Sequence, residues 1–492
     1  MICSPSAAIH DRRASTGCSP KYHGGRRRRR ETPVGPQHDR GADIRSFTES
    51  VRPQLDGALI DDDAVLRAVS IDFGNIVHHR PAAVLRPGSA ADVAAVVKAA
   101  NAFRIKVAAR GAGHSCYGQS QAGDGVVVDM TALTSIGEVR DDRIEVATGA
   151  TWSAVLRKAL EHGLTPPVLT DYLGVTVGGT LSVGGIGGTS YGRGLQLDNV
   201  LELEVVTGDG AIHTCSPDQE RGLFDSVRAG LGQFGIITRA TLRLVPAPAR
   251  VRRYHLDYDS AEAATADQLT LIEDGRFDFV QGHIVPADGR WRHLLEVVRY
   301  YTPPETVDND ELLHDLNYRL GSEQIDDLPY WDFMNRIAAS EEYLLSTGEW
   351  LTPHPWWNAF LPVERASEFL DHLTDTIAPA EVGDTGLLLF YPVLTEHITA
   401  PFLRTPDEPI TFLVAILQYP PDDPELVNAQ LAANLTYYRR ARAEGGLTYP
   451  IGAIPFEHED WQHHFGSAWP DFLKAKNAYD PNHLFAPGQE IF

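Results

Sequence analysis

Ala109-Arg110-Gly111-Ala112-Gly113-His114-Ser115, followed by Val126-Val127-Val128-Asp129-Met130, is the stretch from which the rest of the chain is read. The run from Ile105 to Ala109 leads into a turn with glycines at 111 and 113 and an imidazole at 114. Glycine permits positive φ and close backbone approach to a ligand. Successive N–H groups in such a turn form a concavity that suits a diphosphate. The second apolar run carries the chain away as another strand. A strand, a glycine turn and one nucleophilic nitrogen together suit a tethered dinucleotide. The usual Gly-x-Gly-x-x-Gly fingerprint opening a helix is absent, so this stretch alone also fits a glycine-rich turn with a structural histidine.

The length of 492 residues predicts two domains. A hydrophobic share of 43% and eight tryptophans allow a large ordinary core. The net charge of -23 repels phosphates and anionic membranes, which argues against nucleic acid and membrane as partners. Cys3, Cys18, Cys116 and Cys215 lack metal-like spacing, and no disulfide framework or structural zinc is expected. No apolar run approaches the roughly 20 residues that span a bilayer. Residues 1–45 lack apolar periodicity and are expected to be a disordered tail. Arg26–Arg30 within it reads as a solvated run, a polyanion contact or an address. No apolar h-region follows the arginines, so a cytoplasmic location is expected.

Further along, the pattern alternates strands and helices. A helix is predicted over 61–70. Ser89 caps a second, Ala90 to Arg104, with Val93, Val96, Val97 and Ala100 at helical spacing. Ile144–Ala147 reads as a strand, and Trp152 to His162 as an amphipathic helix ended by Gly163. Val177 to Gly188 alternates apolar residues with glycines, which points to a backbone packed on a flat or charged ligand or to tight helix–sheet packing. Val200–Thr207 is a predicted strand with Gly208-Asp209-Gly210 as its hairpin turn, and Ala240–Val245 another. Pro246-Ala247-Pro248 marks a boundary. Beyond it lie a strand over Trp291–Tyr301, a helix over Pro424–Glu444, helical segments Trp461–Phe465 and Trp469–Tyr479, and a terminus rich in turn residues and apolar anchors.

Arg110-Gly111-Ala112-Gly113-His114-Ser115, Thr170-Asp171-Tyr172-Leu173, Thr176-Val177-Gly178-Gly179-Thr180-Leu181-Ser182, Pro353-His354-Pro355-Trp356 and Pro487-Gly488-Gln489 occur in this order. In this the chain resembles the cytokinin dehydrogenases, a branch of the vanillyl-alcohol-oxidase-like covalent flavoproteins. The resemblance runs from about residue 60 to the end. It implies an α+β, two-domain FAD-linked oxidase fold, with the FAD-binding domain formed by both chain ends and a substrate domain inserted. The expected units are 46–248 and 456–492 for FAD and 249–455 for the substrate.

By the same resemblance, FAD is bonded through its 8α-methyl to His114. Other cofactor contacts fall on Gly111, Gly113, Ser115, Gln119, Asp171, Thr176, Ser182, Ile186, Ile236 and Gln489. No cysteine lies between Thr176 and Gly188, so a single bond is implied, and Cys116 reads as a packing residue. Ala486 stands where relatives often carry serine, and nothing in Gly446–Pro455 is matched to a family tyrosine near the ligands. The implied reaction is oxidative cleavage of N6-substituted adenines, such as isopentenyladenine, to adenine and an aldehyde, with hydride passing to flavin N5. Oxygen or a quinone would reoxidise the flavin.

Asp171 matches the family's base, although from the residues alone it is also a turn cap before Tyr172. Glu296 lies in the apolar run Leu294-Leu295-Glu296-Val297-Val298, where a charge is costly without a partner. In the family a glutamate there contacts the purine; on an alternating strand it could instead face solvent. Trp356 is expected against the flat substrate and His354 beside it as structural. His458, His463 and His464 fit no zinc pattern, and no metal is expected. A related covalent-flavin oxidase acting on another alcohol, sugar or amine is the alternative activity, and a non-catalytic purine-binding protein the alternative class.

Overall fold

A computed structural model describes residues 40–492. Arg26–Arg30, Cys3 and Cys18 lie outside the described residues. Helix Arg40–Val51 overlaps the end of the stretch 1–45 expected to be unstructured, and its Phe47 and Val51 are fully buried.

The first sheet orders Ala58–Ile60, Ala83–Arg86, Val126–Asp129 and Val107–Arg110. Ala83–Arg86 and Val107–Arg110 both run parallel to Val126–Asp129. Parallel neighbours need a crossover, and helix Ala90–Phe103 supplies it. Its Val93, Val96, Val97 and Ala100 are fully buried in one cluster with Val107, Val126 and Val128. Ser89 caps it through the Asp92 N–H, and the buried Asp92 carboxylate accepts from the N–H groups of Asp56, Gly57 and Gly88 at 2.9, 2.7 and 2.7 Å. The predicted helix over 61–70 is Asp63–Val69, capped by Asp62.

The chain end returns to this sheet. Val107 N–H donates to Leu484 O and Ala486 N–H to Val107 O, both at 2.9 Å. Asp480, fully buried, anchors the return by accepting from the N–H groups of Leu484 and Phe485 at 2.9 Å and from Lys476 Nζ at 2.8 Å. Lys476 Nζ also donates to Gln233 O at 3.0 Å and Oε1 at 2.8 Å. The C-terminal segment, the strand Val107–Arg110 and the glycine-rich loop at 230–235 are thereby fixed together.

The second sheet orders Ile136–Arg140, Arg143–Ala147, Ile236–Arg243, Val200–Val206 and Ile212–Cys215, all antiparallel. Its central strand begins at Ile236, earlier than the predicted Ala240, because Ile236 and Ile237 already pair with Val206 and Val205. Val177–Leu181, at the start of the apolar–glycine stretch, is a short helix.

The third sheet has eight antiparallel strands in the order Gln324–Pro329, Arg250–Tyr258, Arg290–Tyr301, Phe279–Ala287, Leu387–Leu394, Ile410–Leu417, Trp357–Pro362 and Leu447–Thr448. Strand residues alternate between faces. Trp357 therefore stacks on Phe369 of helix Val363–Thr376, ring centroids 5.5 Å apart, while Asn358 faces a cavity. Leu387, Leu389 and Tyr391 face the same cavity. Helices and sheets of both pairing types are mixed, the α+β class expected.

Candidate active site

A cavity of about 410 Å³ lies where the glycine-rich loops meet the open face of the large sheet. Its first wall is the loop after strand Val107–Arg110. Gly113, at φ +70°, turns the chain so that His114 and Ser115 line the cavity. The loop is seated on a neighbouring segment by backbone bonds: Phe73 N–H donates to Gly113 O at 2.8 Å and Gly74 N–H to Ser115 O at 2.9 Å. A Cβ on Gly74 would sit 1.9 Å from Cys116 O, so only glycine allows this approach. Asp72 completes the support, accepting from Gly118 N–H at 2.7 Å and Ser115 Oγ at 3.0 Å. Burial pushes its carboxyl up to about 6, against the pull of those hydrogen bonds and of Arg110.

His114 is enclosed by rings. Phe73 lies between it and His354, with centroid separations of 4.1 and 3.9 Å. Tyr172, Trp356 and Trp350 stand 4.9, 5.8 and 6.0 Å from its centroid. Burial, with His354 adding to it, pushes the His114 imidazole down to about 3, so it is neutral and keeps a free electron pair near neutral pH. His354 is fully buried and its Nδ1 pairs with Phe73 O at 2.7 Å, the structural placement expected.

A second wall carries Asp171. Among the described residues lining the cavity, it is the one Asp, Glu, Lys or Arg. Asp171 Oδ2 accepts from Gln281 Nε2 at 2.9 Å and Oδ1 from Arg336 Nη2 at 2.6 Å. Arg336 Nη2 is also 3.6 Å from Glu296 Oε2. His255 Nε2 and Arg253 Nη1 are 3.5 and 3.7 Å from Glu296 Oε1. The sheet register brings these together, pairing His255 with Glu296 and Glu296 with Gln281. Burial works to raise the Glu296 carboxyl, but Arg336 and His255 outweigh it and hold it well below the usual carboxylate range. Arg336 stands at the start of helix Ile337–Thr347, whose Ile337, Ser340 and Leu344 line the cavity and whose Glu341 accepts from Tyr172 Oη at 2.6 Å.

The remaining lining suits a flat, partly polar cofactor. A Cβ on Gly179 would meet only Thr176 Oγ1 at 3.1 Å, and one on Gly232 only Ala486 Cβ at 3.4 Å; both glycines line the cavity. Gln489 lines it too, and its buried Oε1 has no protein donor. Such an acceptor fits a ring N–H. Glycines 184, 185, 187 and 188 are instead packed tightly: a Cβ on Gly185 would be 2.1 Å from Gln196 Oε1, and one on Gly187 2.2 Å from Leu169 O. Within the glycine-rich segment, Gly179 is thus open to the cavity while Gly184, Gly185, Gly187 and Gly188 serve packing.

A family model described as "Cytokinin dehydrogenase 1, FAD and cytokinin binding" matches residues 287–492, and one described as "FAD binding domain" matches residues 81–216. Cytokinin dehydrogenase 4 of Arabidopsis thaliana is 36% identical over 94% of this chain and 96% of its own. The uncharacterized oxidoreductase ORF5 in the fasciation locus of Rhodococcoides fascians is 42% identical over 89% of this chain and 99% of its own. The chain belongs to the cytokinin dehydrogenase family. It is an oxidoreductase of that family, with an FAD-binding domain. Among solved structures, a chitooligosaccharide oxidase superposes with a TM-score of 0.71 over 91% of this chain and 99% of its own; at 15% identity it speaks to the fold alone.

Within this cytokinin dehydrogenase fold, Gly111, Gly113, His114, Ser115, Gln119, Asp171, Thr176, Ser182, Ile186, Ile236, Trp356 and Gln489 all line the cavity. Glu296 does not. It is 2% exposed and 3.6 Å from Arg336, so it neither faces solvent nor lines the cavity. Gln119 spends its amide on protein, accepting from Tyr117 N–H and donating to Gly452 O. Cys116 is buried and its thiol is held protonated by that burial, as a packing residue should be. Ala486 is fixed by backbone: its carbonyl accepts from Gln233 Nε2 at 3.1 Å. The stretch Gly446–Pro455 does supply a tyrosine. Tyr449 lines the cavity, and its Oη accepts from Gly185 N–H at 3.1 Å. Phe73, Arg336, Gln281 and Trp350 were invisible to motif reading; a lone arginine or phenylalanine outside a motif carries no local signal. His458 and His463 pair with backbone carbonyls of Ile491 and Glu459, and among the described residues no group of three His, Cys, Asp or Glu is placed to hold a metal. No helix among them is long and apolar enough to cross a membrane.

Proposed function

We propose that this chain oxidises N6-substituted adenines, such as isopentenyladenine, at the side-chain carbon next to the exocyclic nitrogen, and that hydrolysis of the resulting imine gives adenine and an aldehyde. The observation that carries the reading is Asp171, a single carboxylate on a wall otherwise free of formal charge. The reaction asks for one group that takes the proton of an exocyclic amine, and a carboxyl group on a largely apolar wall can do that. FAD, when bound, supplies the acceptor for the hydride.

The chain's own residues do the rest. Asp171 orients the amine and receives its proton. Trp356, Leu389 and Tyr391 give a flat, apolar surface for an adenine and its hydrocarbon side chain and keep water away. Gln489 and the glycines at 179 and 232 hold the cofactor. His114, neutral and unencumbered by a hydrogen bond to a carboxylate, is the side chain that bonds to its 8α-methyl. Electron return goes to oxygen or a quinone.

An anaerobic titration tests the substrate reading. Isopentenyladenine should bleach the yellow enzyme, while sugars and secondary alcohols leave it coloured. A protein that stays yellow with every N6-alkyladenine is not this enzyme. Acid precipitation tests the tether: the colour should stay with the pellet, and go to the supernatant in His114→Ala.

A further inference from the structure

Arg336 is shared between two carboxylates of different surroundings. Its Nη2 is 2.6 Å from Asp171 Oδ1 and 3.6 Å from Glu296 Oε2. Asp171 is on the cavity wall with 27% of its side chain exposed; Glu296 has 3%. The guanidinium is itself 14% exposed and packs over the rings of Phe333 and Phe279 at 4.4 and 5.2 Å, which fixes its plane. One cation therefore faces two anions, and the buried anion cannot turn to solvent.

We propose that Arg336 is the positioning residue of this site, aiming the Asp171 carboxylate into the cavity, and that Glu296 acts on the reaction only through Arg336 by drawing off part of its charge. A guanidinium held by Asp171 alone would make that acid a weak proton acceptor. A guanidinium split with Glu296 holds the Asp171 carboxyl in place while giving it less than the cation's full charge. The inference rests on Asp171 being the base. It replaces a direct purine contact by Glu296 with a contact at one remove.

Other charged and titratable groups around Asp171 do not supply this. From strand Phe279–Ala287, His283 reaches it only through Gln281, whose Oε1 pairs with His283 Nε2 at 3.1 Å, and burial keeps that imidazole neutral, down at about 4. From strand Arg250–Tyr258, Arg253 and His255 face Glu296, and Arg253 is also engaged by Asp326 at 2.6 Å. From Arg290–Tyr301 and Leu387–Leu394 come the phenols of Tyr300 and Tyr391, both pushed well up by burial and so uncharged. Glu341 meets the Tyr172 phenol instead.

The test is the pH dependence of kcat/KM for isopentenyladenine, with flavin content and melting temperature measured on each holoenzyme. The two variants should move the acid limb in opposite directions. Arg336→Met should shift it upward by about 1 pH unit or more, because Asp171 loses its cation. Glu296→Gln should shift it downward and slow the rate near neutrality, with KM little changed, because Arg336 then belongs to Asp171 alone. Arg336→Lys should keep the limb near its original place while losing rate, since the charge remains and the fork does not. A limb unmoved in both Arg336→Met and Glu296→Gln overturns the inference, as does a raised KM with an unmoved limb in Glu296→Gln, which is the signature of direct substrate contact. If Arg336→Met does not fold, the Glu296→Gln limb decides alone. Failure of the underlying reading looks different: Asp171→Asn would then reduce its flavin as fast as the unaltered enzyme.

Discussion

The two walls of the cavity keep their shape by different means. The His114 wall is held by backbone: Phe73 and Gly74 donate to the carbonyls of Gly113 and Ser115, and the chain end is stitched to Val107. The Asp171 wall is held by side chains, through Gln281 and Arg336, from segments 110 and 165 residues away. A backbone-held wall tolerates changes of side chain and fails where an added Cβ blocks the approach of two chains. A side-chain-held wall fails one residue at a time, and fails in chemistry before it fails in fold. The arrangement matches the demands. On the proposed function, a tethered cofactor would need a permanent seat, whereas an acid that takes a proton would need an adjustable environment.

The largest effect should come from the side-chain wall. Asp171→Asn should slow anaerobic flavin reduction by roughly 10²–10⁴-fold, with flavin content and melting temperature close to the original. A stopped-flow trace gives the rate. Loss of flavin instead would mean that the acid supports the cofactor's seat, and the distinction between the walls would not hold.

On the backbone wall the corresponding test is Gly74→Ala. The new methyl would meet Cys116 O at 1.9 Å, and the atoms in the way are backbone. Segment 72–75 must then pull away from the loop, at a cost of about 1–3 kcal/mol or more in stability. The measurement is urea unfolding together with flavin content, and both should fall. An unaltered midpoint would show that the loop does not need this contact.

The same contrast explains what could be read from residues alone. The glycine loop, the helix Ala90–Phe103 with its Ser89 cap and the Val177–Ser182 segment are contiguous, and their glycines and caps carry local meaning. Asp171 and Trp356 were legible because they lie inside contiguous motifs. Arg336 was not, because an arginine before a helix has no local signature and its meaning comes from a strand register that pairs His255 with Glu296 and Glu296 with Gln281. Glu296 shows the limit most clearly. The apolar strand around it left both a buried and a solvent-facing side chain open, and nothing local pointed to Arg336 as its partner. Tyr449 was missed for the opposite reason: it faces the cavity from a two-residue strand, Leu447–Thr448, and its loop, too short for any pattern.

A third prediction concerns acid. Burial lowers four imidazoles far: His114 and His464 to about 3, His283 and His354 to about 4, all from 6.5. The unfolded chain takes up these protons as pH falls below 6.5 and the folded chain does not, so stability is lost on acidification. Asp72 works in the other sense, since its folded carboxyl takes a proton at about 6 and its unfolded one at 3.8. Burial raises Asp198, Asp278 and Asp371 in the same sense as Asp72, and lowers His293, His372 and His483 alongside the four imidazoles. The imidazoles outnumber the carboxyls, and the melting temperature should drop between pH 6.5 and 4. Histidines stand on both walls and in the helix His458–Phe465, so the acid response should not separate the walls. His464→Phe, in an aromatic setting with Trp461 and Phe465, should make that drop shallower. A slope unchanged by this variant would mean that His464 is protonated in the folded protein.

The smallest effect belongs to the seam where the walls meet. Tyr172 packs against His114 on one side and donates to Glu341 of helix Ile337–Thr347 on the other. Tyr172→Phe keeps the ring and removes that one hydrogen bond, half-buried, worth about 1 kcal/mol. The flavin seat should survive, because Phe73 and the backbone bonds hold it. The helix that carries Arg336, Leu344 and the approach to Trp350 loses one of its ties to the Asp171 wall. The expected result is a small fall in melting temperature, an undiminished flavin content and a KM for isopentenyladenine raised more than kcat is lowered. A loss of flavin in Tyr172→Phe would show that the two walls are coupled through this phenol, and that the backbone does not hold the cofactor side by itself.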